Sequence, residues 1–301
     1  MLRLATRGSQ LALWQAGHVA SLLQAAHPGL EVELVPLSTT GDRRTDVPVW
    51  EMGGRGVFVH EVQLAVLDGR ADAAVHSAKD LQPVDQAGLC LAAVPERGDP
   101  RDALVGSGLG QLGPGAVVAT GSQRRQAQLA ALRPDLRFQS LRGNIGTRLS
   151  RVPPGGAIVV AMAALSRLGL TPEPMEALAT EVMLPQVAQG AIAVECRTGD
   201  TATRQLLSDI EDVGTRQAVE AERSFLAAIG GACDLPVGGH ATIGAGVLRL
   251  EGLLAAVDGS QVVRRAASRP PAEATALGRE VAVQVLAGGG KELLAAYRER
   301  P

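Results

Sequence analysis

A short segment occurs twice in this chain: ATRGSQLALWQA at 5–16 and ATGSQRRQAQLA at 119–130 share A-T-(x)-G-S-Q. Each copy follows a short apolar run and precedes a helical pattern, so each reads as a junction where a strand stops and a helix starts. Residues 2–6 are the first such strand, Ser9 is placed as the N-cap, and Leu11, Trp14, Val19 and Leu22 form the apolar stripe of the helix. A duplicated junction predicts two similar α/β lobes facing a cleft. The apolar runs Glu31–Leu37, ADAAVHS (71–77), GAVVAT, FQSL and AIVVA add strands that alternate with helical stretches. Such βα alternation implies mostly parallel sheets with sites at the strand C-termini.

The expected fold class is therefore α/β: two periplasmic-binding-protein-like lobes with mostly parallel sheets around a cleft, plus a small C-terminal α+β domain. The breaks PERGDPR (95–101) and PQVAQG (185–190) are the expected crossings between lobes. That puts residues 1–96 and 187–212 in the first lobe, 97–186 in the second and 213–301 in the C-terminal domain. Within the last, ATIGAGVLRLEGLLAAV, the turn Asp258-Gly259-Ser260 and QVVRRAAS read as a β-meander. A helical tail, Glu273–Arg300, is interrupted by the triple glycine at 288–290.

At 301 residues and 46% hydrophobic content the chain is globular, with length enough for two or three domains. A net charge of -2 argues against general nucleic-acid binding, so its basic clusters serve a specific anion. The start MLRLATRGSQ has no apolar signal core and no later stretch approaches a membrane span, which makes a cytoplasmic protein the expectation. Cys90, Cys196 and Cys233 are widely spaced, without CxxC or HExxH, supporting neither a disulfide framework nor a metal site.

The chemistry concentrates in a few stretches. The run 119–151 sets Arg124, Arg125, Arg142 and Arg148 at the ends of strand-to-helix turns. Helix starts already carry partial positive charge, so arginines there suit a bound polyanion, for which forked donors and unpaired backbone N–H groups are well matched. The bland reading of any one of them is a surface ion pair, worth ~0–1 kcal/mol. His76-Ser77-Ala78-Lys79-Asp80 follows an apolar strand and places Asp80 at a cleft mouth; only Lys79 and Lys291 are lysines. There a carboxylate among cations stays ionised and can stabilise a developing cation or pass protons, or else it merely caps a helix. Cys233, in the glycine-rich GGACDLPVGG, suits a covalent attachment point better than a protease-like nucleophile, whereas Cys90 and Cys196 read as small buried hydrophobes. GGRG at 53–56 lacks the spacing of a phosphate loop and reads as a mobile flap.

In this order, ATRGSQLALWQA, GGRGVFVHE, AVHSAKDL, ERGDPRDAL, SLRGNIGTRL, LSRLGL, QGAIAVECR and GGACDLPVG resemble the porphobilinogen deaminase (hydroxymethylbilane synthase) family over nearly the whole chain. The resemblance implies a transferase that joins four porphobilinogen units head to tail into hydroxymethylbilane, releasing ammonia each time. It implies a dipyrromethane cofactor held by a thioether to Cys233, and a monomer with no nucleic-acid or membrane partner. Asp80 matches the catalytic carboxylate, which hydrogen-bonds pyrrole N–H groups and stabilises the cationic azafulvene formed as ammonia leaves. Ser77, Lys79, Thr120, Ser122, Arg124, Arg125 and Arg148 match positions that hold cofactor or substrate acid groups. Arg7, Ser9, Arg142 and Arg167 match further substrate positions, and 38–58, with Phe58 near its end, matches the active-site loop. Gly121 and Gln123 depart from the family's GTSSLRR, as Ala232 does from Gly-Gly-Cys, while Glu51, Arg55 and His60 stand where basic residues are frequent. The alternative function is a two-lobed binding module for a small carboxylated anion.

Overall fold

The first strand, Leu2–Arg7 (β1), is buried on both faces, with Leu2 and Leu4 on one side and Ala5 on the other. It belongs to a computed structural model that describes residues 1–39, 56, 58–231 and 235–298. The chain divides into two units, Met1–Gly98 with Gly190–Arg216, and Asp99–Gln189 with Gln217–Pro301.

In the first unit, β1 pairs in parallel with Val32–Leu37 (β2) and with Ala73–Ser77 (β3). Ile192–Arg197 (β10) lies antiparallel between β3 and Leu89–Ala93 (β4), giving the order β2-β1-β3-β10-β4. Leu2, Leu4, Val75 and Val194 pack with Val19 and Leu23 of the helix Gln10–Ala26 on one face. Ala5 and Ala74 meet Val62 and Val66 of the helix His60–Leu67 on the other. Each fully buried valine or leucine among them contributes about 1.5–3 kcal/mol.

The second unit repeats the plan. Asp102–Val105 (β5), Val117–Ala119 (β6), Arg137–Gln139 (β7), Ala157–Ala161 (β8) and Met175–Leu178 (β9) form a sheet of order β7-β6-β8-β5-β9. In each sheet one strand, β10 or β5, opposes the rest, so each has two parallel and two antiparallel pairings. The strands are thus mostly co-directional, as the α/β reading expects, with one reversed strand in each sheet. β1 and β6 hold the same second place in their sheets and each leads into a serine-capped helix, Gln10–Ala26 or Gln123–Leu132, which is where the sequence repeat falls.

The rest of the second unit is the antiparallel meander Val237–Gly244 (β11), Val247–Ala255 (β12) and Val262–Arg269 (β13), with the helix Ala274–Val285 and, from Gln217 on, the helix Val213–Ile229. This is the expected small α+β part. Phe225 is fully buried, and Gly278 lets the two helices touch, since a Cβ there would sit 2.4 Å from the Ala221 carbonyl oxygen. The triple glycine does break the helical tail, with Gly289 at φ 111.

The stripe expected on the first helix is displaced. The helix buries Ala12, Gln15, Ala16, Val19 and Leu23, while Trp14 is 38% exposed and stacks on His18. The small side chain of Ala16, together with Val19 and Leu23 rather than Trp14, packs against the sheet.

Candidate active site

β1 and β3 are neighbours that run in the same direction, so Arg7 and Ser77 end at one edge of the first sheet. The Gly8 N–H donates to the Leu37 carbonyl at 3.0 Å, and Ser9 Oγ caps the helix by accepting from the Ala12 N–H. After β3 the chain makes a single 3-10 turn, Ala78–Asp80, whose Ala78 N–H donates to the Ala191 carbonyl. This brings Asp80 Oδ2 to 3.9 Å from Arg7 Nη1, both side chains about a quarter exposed (27% and 23%). The Phe58 ring lies under the Arg7 guanidinium, with Cζ 4.3 Å from its centroid. A partly exposed pair at this distance adds little stability, because solvent screens it. Its value is chemical: a carboxylate and a cation at the ends of adjacent parallel strands, with an apolar ring fixing the cation.

Beneath them several polar side chains pair internally. The Gln15 amide both donates to and accepts from the Ser77 hydroxyl, at 2.9 and 3.1 Å. His76 Nε2 lies 3.1 Å from Glu195 Oε2, and that oxygen accepts a hydrogen bond from Gln63 Nε2 at 2.9 Å. These buried contacts fix the end of β3, and with it the turn that carries Lys79 and Asp80.

In the second unit the equivalent turn follows β6. Thr120 donates its N–H to the Gln139 carbonyl, its Oγ1 accepts from the Ser122 N–H, and Ser122 Oγ caps the helix at the Arg125 N–H. The sequence reading gives Arg124 and Arg125 to an external anion. The structure turns both inward, at 3% and 6% exposure, onto the fully buried Asp102 at the start of β5. Arg124 Nη2 donates to Asp102 Oδ2 at 2.8 Å and Nη1 to the Leu184 carbonyl at 2.7 Å. Arg125 donates to Asp102 Oδ1 through Nε and Nη2, and through Nη1 to the Val159 carbonyl. Burial alone would raise the Asp102 carboxyl, yet the two guanidiniums, helped by the Gln189 amide, hold it well below the usual carboxylate range. Burial likewise lowers Arg124, against the pull of Asp102. A buried carboxylate outcompetes solvent-side anions here because its charge has no other compensation.

The next turn, after β7, is built by Asn144, which caps the helix Ile145–Leu149. Gly143 sits at φ 118, and its carbonyl accepts from Arg148 Nε at 2.8 Å. Arg142 is half-buried beside it, and Arg167 ends the helix Met162–Arg167, where burial lowers its guanidinium to about 10.

The porphobilinogen deaminase dipyrromethane cofactor-binding domain matches residues 2–205, and the family's C-terminal domain matches residues 216–287. The porphobilinogen deaminase of Syntrophotalea carbinolica is 46% identical over 305 residues, spanning 100% of this chain and 97% of the relative. This chain belongs to the porphobilinogen deaminase family. Solved structures with a looser likeness include the OxyR regulatory domain of Pseudomonas aeruginosa (TM-score 0.40, 14% identity, 69% of this chain and 96% of that one). The sulphonate-binding protein SsuA of Escherichia coli is comparable (TM-score 0.38, 15% identity, 75% of this chain and 70% of that one).

As a porphobilinogen deaminase, the chain is a transferase that joins four porphobilinogen molecules into hydroxymethylbilane with loss of ammonia, primed by dipyrromethane. The binding-module alternative is thereby set aside: identity runs the full length of an enzyme, including the C-terminal domain. The residues present fit an acid-bearing cofactor. Arg124 Nε is buried with no hydrogen-bond partner among the described residues, at the start of a helix whose first turn carries no acidic side chain. Cys233 and most of the expected loop 38–58 lie outside the described residues; of that loop Ser38, Thr39, Gly56 and Phe58 are described.

Sequence reasoning passed over Asp102, Glu195, His76, Gln15 and Gln189. For the first three the signal was available: each is a polar residue inside an otherwise apolar strand, where it demands a partner. Among the described residues, no helix is long and apolar enough to cross a membrane.

Proposed function

We propose that Asp80 is the catalytic carboxylate and that Arg7 and Phe58 set its surroundings. The observation that carries this is the Arg7–Asp80 approach of 3.9 Å at the ends of β1 and β3, with the Phe58 ring under Arg7. When bound, the cofactor supplies a pyrrole carbon as nucleophile and an anchor for the growing chain. Asp80 accepts hydrogen bonds from pyrrole N–H groups and stabilises the positive charge that develops as ammonia departs; its partial exposure leaves it open to a substrate. Arg7 counters the substrate's acid groups beside Asp80.

Cys233 is the attachment point. Ser77, Lys79, Thr120, Ser122, Arg124, Arg125 and Arg148 hold cofactor acid groups, the two buried arginines by orienting the helix start and by the remaining Arg124 Nε. Ser9, Arg142, Arg148 and Arg167 take the substrate's acetate and propionate. The same reading takes 1–96 with 187–212 and 97–186 as the two lobes, with 213–301 as a third domain that the family's C-terminal model at 216–287 supports. It also takes the protein to be cytoplasmic and monomeric.

The test is intact mass under denaturing conditions, before and after porphobilinogen is added. A starting mass above that of the polypeptide by one dipyrromethane, lost in Cys233→Ser, and a ladder of single-pyrrole steps are expected. In Asp80→Asn the cofactor mass and the melting temperature persist while turnover falls by about 10²-fold or more. Turnover near wild type in that variant removes Asp80 from the chemistry.

A further inference from the structure

Cys90 and Cys196 are 106 residues apart in sequence yet lie directly opposite each other across β4 and β10, with their Sγ atoms 4.0 Å apart. Both thiols are unbridged, Cys90 half-buried and Cys196 fully buried. Among the described residues, the hydrogen bonds of the two thiols run to each other and to the Arg197 carbonyl, away from Asp80 and Arg7. Burial, and then the neighbouring Cys90, pushes the Cys196 thiol up to about 12, so it is not the group that meets an oxidant first.

We propose that Cys90 and Cys196 form an oxidative modification site, converted by a small-molecule disulfide into a reversible cross-strand disulfide. In the first step Cys90 gives up its proton and its thiolate attacks one sulfur of the oxidant. The oxidant's S–S bond breaks, and one oxidant thiolate leaves and takes a proton. In the second step Cys196 gives up its proton and attacks the Cys90 sulfur, expelling the second oxidant thiolate, which takes that proton. Two protein thiols are oxidised, and one small disulfide is reduced to two thiols.

The geometry suits this closure. A disulfide requires an S–S distance of about 2.0 Å and Cβ atoms roughly 3.5–4.5 Å apart. Opposed residues of an antiparallel pair already hold their Cβ atoms about 4.5–5.5 Å apart. The remaining approach falls on β4, the edge strand of its sheet among the described residues. It also falls beside the register irregularity at Val194/Glu195, where the β10–β4 ladder is already locally broken.

The experiment exposes the protein as isolated to glutathione disulfide, blocks residual thiols with maleimide and reads intact mass and peptide maps. The expected product has lost two hydrogens, retains no glutathione, yields a linked Cys90–Cys196 peptide and returns to the starting mass with dithiothreitol. Cys90→Ala abolishes the link, and Cys196→Ala traps one glutathione on Cys90. The proposal is overturned if wild-type protein keeps glutathione on Cys90 without forming the link, or if maleimide still labels both cysteines after oxidation. The wild-type map decides the question even if a variant fails to fold.

Discussion

Asp102 shows how a single residue redirects the chemistry of its neighbours. In sequence the Arg124–Arg125 pair is the strongest anion-binding signal of the chain, but in the folded protein both guanidiniums turn onto Asp102, which accepts three of their hydrogen bonds. Asp102→Asn leaves two buried guanidiniums without a counter-charge and is expected to cost about 3–5 kcal/mol in urea unfolding. The same carboxylate sets a pH dependence. Its folded value is depressed, so its stabilisation is fully present above the unfolded carboxylate range, near pH ~4, and is lost as pH falls from there toward the folded value. Wild-type protein is therefore expected to lose stability more steeply than Asp102→Asn as acid is added below about pH 4, which acid titration followed by circular dichroism checks. Arg142 lies on the turn after β7, outside that buried network, so Arg142→Ala is expected to leave the melting temperature in place and stall chain growth, read as a truncated mass ladder.

Among the elements, the helix Val213–Ile229 is tied to the rest of its unit by Glu222. This fully buried carboxylate accepts from the Ala188 N–H at 2.5 Å and from the Ala241 N–H of β11 at 2.7 Å. Ala188 holds φ 60, a left-handed conformation unfavourable for a residue with a Cβ, and the Glu222 contact helps maintain it. Glu222→Ala strands two buried donors and is expected to destabilise by about 1–3 kcal/mol for each, measured by urea unfolding. The serine caps of the two repeated helices belong to the same scale and were legible from the sequence, because an N-cap depends only on residues within one turn. The buried face of the first helix was not: whether Trp14 or Ala16 faces the sheet depends on how near the sheet lies, which periodicity alone does not encode.

For the whole molecule, the monomer reading predicts a sedimentation-equilibrium mass of one chain, independent of protein concentration. The duplicated A-T-(x)-G-S-Q junction foretold two sheets of one plan, and the structure supplies them with β1 and β6 in matching places. Sequence alone thus determined the α/β class, the repeated strand-to-helix turns, the C-terminal meander and the family, since these rest on local spacing and on motifs in fixed order. Tertiary structure alone decided the reversed strands β10 and β5, the pairing of Cys90 with Cys196, the meeting of Arg7 with Asp80, and the capture of Arg124 and Arg125 by Asp102. Each of these joins residues distant in the chain; for Arg124, Arg125 and Asp102 the cost of leaving a buried charge unpaired, not any local pattern, selects the partner.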